Sequence, residues 1–363
     1  MNATLRRTRL LVVFVALAIA LAACGSSSKS ESPSSTSGGG GGGASGTLDG
    51  AGSSFQKTFN EAVISAFQDA NENVTVTYNP VGSGSGKSAL QTKTVDFAGT
   101  DSLPKAADLS GYQGGALLNF PTVAAPITVS YNLADVKKLQ LSGTTLAKIF
   151  SLKIKQWDDA AIAQDNPGVT LPSTAITVVH RSDGSGTTTN FTKFLDTVDP
   201  TDWTLGTGDT VDWTSLGTTV GAEKNSGVAQ AVKSTAGAVG YVDLADATAA
   251  ELQYASIKNA AGNFIAPSVD SAAAAVANAT FKADLSYDPI NAPGDEAYPI
   301  TSPTWIIAYE KQTSHQTGTN LKEFLQFIYG DGQTIAPTVG YAALPDSAVQ
   351  KAVAQLDKFQ IPA

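Results

Sequence analysis

Hydrophobic positions along this chain follow two rhythms, and both run into or out of the same kind of turn. Asn73–Tyr78 alternates, with Val74, Val76 and Tyr78 on one face and Thr75 and Thr77 on the other, which predicts a half-buried strand. Ile176–Val179 is a second, β-branched strand. Helical spacing appears in Phe55, Phe59, Val63 and Phe67, which recur every four residues behind Gly50-Ala51-Gly52-Ser53-Ser54, with Ser53 or Ser54 as N-cap. The first strand leads into Pro80-Val81-Gly82-Ser83-Gly84-Ser85-Gly86-Lys87, with a helix expected from Ser85 or Gly86. The second leads into His180-Arg181-Ser182-Asp183-Gly184-Ser185-Gly186-Thr187 and a helix with Phe191, Phe194 and Leu195 on one side. Further strands are expected at Ile127–Tyr131, behind Pro121 and Pro126, and at Trp305–Tyr309, behind Pro299. Strand, Gly/Ser turn and helix in repeated succession predict an α/β protein.

The N-terminal segment follows neither rhythm. Arg6, Arg7 and Arg9 precede an unbroken apolar stretch from Leu10 to Ala23, the layout of a secretory signal over residues 1–23. Its 14 residues fall short of a membrane-spanning helix, which needs about 20. It ends in Leu21-Ala22-Ala23-Cys24-Gly25, which resembles the lipobox of bacterial lipoproteins, where the cysteine is lipidated and becomes the new N-terminus. Residues 24–46 are almost wholly Ser and Gly, too poor in apolar side chains to offset the entropy of ordering, and are expected to form a flexible tether.

Composition removes several function classes. The 363 residues carry 23 Lys+Arg against 32 Asp+Glu, a net charge of -9, which disfavours nucleic acid as a partner. Loss of the three signal arginines leaves 20 basic residues against 32 acidic ones, net -12. A single cysteine, Cys24, forms no internal disulfide, and His180 and His315 are too few and too far apart for a zinc site.

Glycine lets a backbone approach a ligand closely, and the first turn of a helix leaves N–H groups free, so each of these turns suits an anion. Arg181 adds a forked cationic donor, with Asp183 as its possible partner. The second turn misses a nucleotide-binding P-loop by one residue, since Val81 stands where the first glycine belongs. His180 is read as a packed or solvated strand-end histidine rather than a ligand.

Together these segments resemble the phosphate-binding proteins of bacterial phosphate ABC importers, the PstS-like family. Gly50–Phe55, Val81–Gly86, Val95-Asp96-Phe97-Ala98-Gly99-Thr100-Asp101 and Arg181–Thr187 carry the resemblance. Lys153–Asp159, Gly237–Val242, Tyr298–Thr301 and Tyr341–Pro345 support it in family order. It implies phosphate contacts at Ser54, Phe55, Ser83, Asp101, Arg181, Ser185, Gly186 and Thr187, with Phe55 and Gly186 acting through their N–H groups. The family often has threonine where Ser54 stands. Asp101 would repel any oxyanion that brings no proton, which admits mono- and dibasic phosphate and rejects sulfate. Without the resemblance, Asp101 is better read as the cap of a helix after Leu103-Pro104.

The resemblance also implies a two-lobed periplasmic-binding-protein-like α/β fold with the ligand cleft between the lobes. Residues 47–125 with 298–363 would form one lobe and 126–297 the other. The expected protein is a monomer without cofactor, metal or covalent chemistry. It would be anchored at the cell membrane through Cys24, facing away from the cytoplasm, and would deliver inorganic phosphate to permease subunits. The competing readings are a secreted phosphoester hydrolase and a surface lipoprotein that has lost transport.

Overall fold

The computed structural model describes residues 45–363. The signal segment, Cys24 and the tether up to residue 44 lie outside the described residues. Nine strands form one mixed sheet, ordered Val74–Asn79, Gly46–Gly52, Phe97–Thr100, Thr301–Tyr309, Leu117–Tyr131, Ala238–Asp243, Thr177–Arg181 and Val220–Ala222, with Gln253–Tyr254 also paired to Leu117–Tyr131. The first three in that order are parallel to one another, and so are the last three. Between them, Thr301–Tyr309 and Leu117–Tyr131 run antiparallel to their neighbours.

This arrangement decides where a ligand belongs. In open α/β sheets, ligands sit beyond the carboxyl ends of parallel strands. Here one parallel set ends at Gly52, Asn79 and Thr100 and the other at Arg181, Ala222 and Asp243. The expected turns follow three of those ends, Gly52, Asn79 and Arg181. Val74 and Val76 are buried and Thr75 and Thr77 exposed, as the alternation predicts. Phe55, Phe59, Val63 and Phe67 are all buried in the core, as are Phe191, Phe194 and Leu195.

Three local expectations need adjustment. The first helix, Lys57–Ala70, has Gln56 as N-cap, because the Ser53 and Ser54 side chains are engaged elsewhere. The second begins earlier than expected, at Ser83, because Gly82 takes the N-cap with φ 94°. Pro121 and Pro126 lie inside one continuous strand, Leu117–Tyr131, instead of flanking its start. Proline donates no ladder hydrogen bond, and Pro126 stands where it is tolerated. The strand pairs with Thr301–Tyr309 up to Pro126 and with Ala238–Asp243 from Ile127 onward.

Candidate anion-binding site

Strand ends from both parallel sets meet at Asp101, which is 1% exposed. Ser53 Oγ donates to its carboxylate at 2.7 Å and Thr304 Oγ1 at 2.9 Å, while Thr187 Oγ1 lies 3.5 Å from Oδ2. Gly186 packs so closely on Asp101 that a Cβ there would lie 2.7 Å from Asp101 Cβ. Asp101 therefore caps no helix after Leu103-Pro104. The short 3-10 helix that follows, Ala106–Gly111, has Lys105 at its N-cap and Asp108 in its first turn.

Four hydroxyls around the carboxylate share a pattern. Ser54 Oγ accepts from Asn225 N and Nδ2, Ser83 Oγ from Asp101 N, Ser185 Oγ from Thr188 N, and Thr187 Oγ1 from Asn225 Nδ2. A hydroxyl has one proton. Among the described residues, only Thr187 has any acceptor for it, the distant Asp101 Oδ2. All four residues are at least 95% buried. Gly186 and Thr187 open the helix Gly186–Val198, where N–H groups lack intrahelical partners.

Arg181, 4% exposed, forms the cationic wall. Its Nε donates to Asp183 Oδ1 at 2.6 Å and its second guanidinium nitrogen to Oδ2, the bidentate pairing the sequence suggested. Gly82 sits against this pair, with positive φ and with a hypothetical Cβ 2.5 Å from Asp183 Oδ2, so no other residue fits there without displacement.

Burial raises the Asp101 carboxyl to about 6, against the downward pull of the Ser53 and Thr304 hydroxyls and of Arg181. Asp183 is also raised by burial, but its bonds to Arg181 and Lys224 N outweigh this and hold it below the usual carboxylate range. His180 stacks on Trp213 at 4.6 Å, and its ring nitrogens meet Arg181 O and Thr219 Oγ1. It is the packed strand-end histidine expected.

All eight residues singled out from the sequence come together here. The Phe55 N–H meets Ser53 Oγ at 3.0 Å, and Tyr341 Oη donates to Phe55 O, fixing that turn from behind. Sequence reasoning missed Thr304 and Asn225 and treated Ser53 only as a cap. It also missed a contact across the cleft mouth, where Lys87 Nζ lies 2.6 Å from Asp209 Oδ2. Asp209 Oδ1 accepts in addition from Ser102 and Thr189. Lys87, the lysine of the near-miss P-loop, thus has a carboxylate partner from the other half.

A buried anion cradle at the carboxyl ends of two parallel strand sets defines a substrate-binding protein of the periplasmic type, and comparison with known proteins agrees. A family model described as a PBP superfamily domain matches residues 37–331. The phosphate-binding protein PstS of Pasteurella multocida (strain Pm70) is 37% identical over 315 residues, covering 85% of this chain and 89% of the relative. Phosphate-binding protein PstS 3 of Mycobacterium leprae (strain TN) is 36% identical over 313 residues, covering 83% and 84%. The solved structure of PfluDING, a high-affinity periplasmic phosphate-binding protein bound with phosphate, superposes with a TM-score of 0.70 at 22% identity, covering 85% of this chain and 93% of that one. The chain belongs to the PBP superfamily and, within it, to the PstS family of phosphate-binding proteins.

Proposed function

We propose that this protein captures inorganic phosphate outside the cytoplasmic membrane and delivers it to the permease of an ABC importer. One observation carries the reading beyond family membership: three buried hydroxyls with uncommitted protons, a fourth paired only at 3.5 Å, and a guanidinium surround one buried carboxylate. Such a set offers donors to a tetrahedral oxyanion and a single acceptor for a proton that the anion brings. The contacts are Ser54, Phe55, Ser83, Asp101, Arg181, Ser185, Gly186 and Thr187, with the Phe55 N–H shared between Ser53 Oγ and the anion. Asp101 is the selectivity element, since sulfate would set two acceptors against each other.

The lobes are residues 47–125 with 298–363, and 126–297. The switch of strand partners at Pro126 and Ile127 supports that division. Phosphate gripped from both lobes would favour the closed arrangement. The protein works as a monomer, held at the membrane by lipid on Cys24. Cys24→Ser should abolish partitioning of the full chain into detergent while leaving phosphate affinity unchanged; equal partitioning of wild type and variant would defeat the anchor.

A phosphoester hydrolase finds less support. An activated serine needs an adjacent base, and both ring nitrogens of His180 are taken by Arg181 O and Thr219 Oγ1. The deciding experiment is calorimetric titration with phosphate, arsenate and sulfate after removal of co-purified anion, with a chromogenic phosphate ester as a turnover control. Binding of phosphate and arsenate without sulfate and without turnover is expected. Failure to bind phosphate would overturn the reading.

A further inference from the structure

Not every hydroxyl at the site is free to meet a ligand. Ser53 Oγ accepts from Phe55 N at 3.0 Å, and Thr304 Oγ1 accepts from Gln56 Nε2 at 2.5 Å. With the acceptor side of each hydroxyl occupied by an N–H, its one proton points away from that donor. Among the described residues the only acceptor for Ser53 is Asp101; for Thr304 the nearer acceptor is Asp101 Oδ1 at 2.9 Å, ahead of Thr100 O at 3.3 Å. Gln56 is itself fixed, since Nε2 also reaches Trp305 O and Oε1 accepts from Asn60 Nδ2. Ser53 is 1% exposed and Gln56 and Thr304 are fully buried, so water does not compete.

We propose that Ser53 and Thr304 are specificity-determining positioning residues, two N–H to O–H relays that hold Asp101 as a pure proton acceptor and so make the site demand a protonated oxyanion. The proposal rests on the phosphate reading and goes a step deeper, from the carboxylate to what keeps it ionised. An Asp101 that took up a proton would have to displace a hydroxyl proton already aimed at it, and among the described residues Ser53 has no other acceptor for that proton while Thr304 has only Thr100 O at 3.3 Å. Once protonated, Asp101 could donate to an oxyanion without a proton, and exclusion of sulfate would end.

Other groups facing Asp101 are Arg181 and Asp209 from one side of the cleft and Asp243 at the end of its strand, with Tyr78 and Tyr341 behind. Asp209 is itself paired to Lys87. None of these is altered by removing the Ser53 or Thr304 hydroxyl, so a change in Asp101 protonation is assignable to the relays.

The test follows Asp101 through a carbon-13 carboxyl titration of the anion-free protein and follows sulfate binding from pH 5 to 8 by calorimetry. The proteins are wild type, Ser53→Ala, Thr304→Val and Thr304→Ser. The carboxyl midpoint, and with it the pH below which sulfate binds, should rise by about one unit in Ser53→Ala and Thr304→Val, the scale of one lost hydrogen bond to a carboxylate. Thr304→Ser, which keeps the hydroxyl, should restore the wild-type midpoint. Unchanged midpoints in Ser53→Ala and Thr304→Val would overturn the proposal; should Thr304→Val fail to fold, an unchanged midpoint in Ser53→Ala alone overturns it. A wild type that binds no phosphate would defeat the functional reading, whereas the carboxyl titration would still decide the relays.

Discussion

Asp101 and Asp183 stand on opposite walls of one site, and burial pushes both carboxyls upward, yet they end on opposite sides of the ordinary carboxylate range. The difference lies in the donors. Asp183 is gripped by a guanidinium fork and a main-chain N–H, so its charge is neutralised where it sits. Asp101 receives neutral hydroxyls, which orient it without cancelling its charge. One wall is electrostatically settled and holds Arg181 in place. The other keeps an uncompensated acceptor, and that residual charge allows it to judge whether a ligand brings a proton.

The strongest way to break this contrast is Arg181→Ala, which removes the fork and leaves Asp183 a second unpaired carboxylate. Phosphate affinity should fall by about 1.5–3 kcal/mol, the scale of a hydrogen bond to a charged group. Arg181→Lys should recover only part of it, because charge returns without the fork. Titration calorimetry reads both, and wild-type affinity in Arg181→Ala would remove the residue from the site.

Asp101→Asn makes the selective wall as neutral as its partner. The amide can donate, so sulfate should gain on phosphate by about 1–3 kcal/mol in relative affinity at neutral pH. The same relaxation should appear in the wild type as pH falls through about 6, where Asp101 takes up its proton. The sign follows from the raised value: above it the carboxylate is ionised and excludes sulfate, below it the acid donates. Asp183, held low, should not titrate in that window. A phosphate-to-sulfate ratio unchanged in Asp101→Asn would end the selectivity argument.

The smallest effect is expected from the contact that joins the walls at the mouth. Lys87→Ala frees Asp209, whose side chain is 23% exposed against 16% for Lys87, and should weaken phosphate binding by about 1 kcal/mol or less. Selectivity against sulfate at neutral pH should change little, since Lys87 acts on Asp101 only through the charge of Asp209. A variant that changed the ratio and not the affinity would show that the mouth and the selective wall are coupled.

Much of this was legible in the sequence where the signal is local. Gly/Ser turns behind β-branched strands, the Arg181–Asp183 spacing and the four-residue aromatic repeat from Phe55 to Phe67 all depend on neighbours within a few positions. Thr304 has no such signature. It sits in a strand buried along its whole length, and its hydroxyl finds Asp101 only because that strand pairs antiparallel with Phe97–Thr100. Asn225 is equally silent, joined to Ser54 across 171 positions. Ser53 misleads, since a serine before an amphipathic helix reads as a cap, and the competition won by Asp101 is visible only in three dimensions. Pro121 and Pro126 mislead for another reason. Proline commonly interrupts strands, and here the strand simply changes partner at the second one.

Where the two glycine turns face each other, the backbones meet without intervening side chains: Gly84 N donates to Gly184 O at 2.9 Å, and a Cβ on Gly84 would lie 3.0 Å from Gly184 Cα. A bare seam of this kind has no side chains to disengage. Release of the anion then requires breaking not only its own bonds but also those that tie the two strand sets together, Gly84 N to Gly184 O, Asn225 to Ser54, Asn190 to Asp101 O, and Lys87 and Ser102 to Asp209, so the anion is retained by protein–protein bonds as well as by its own.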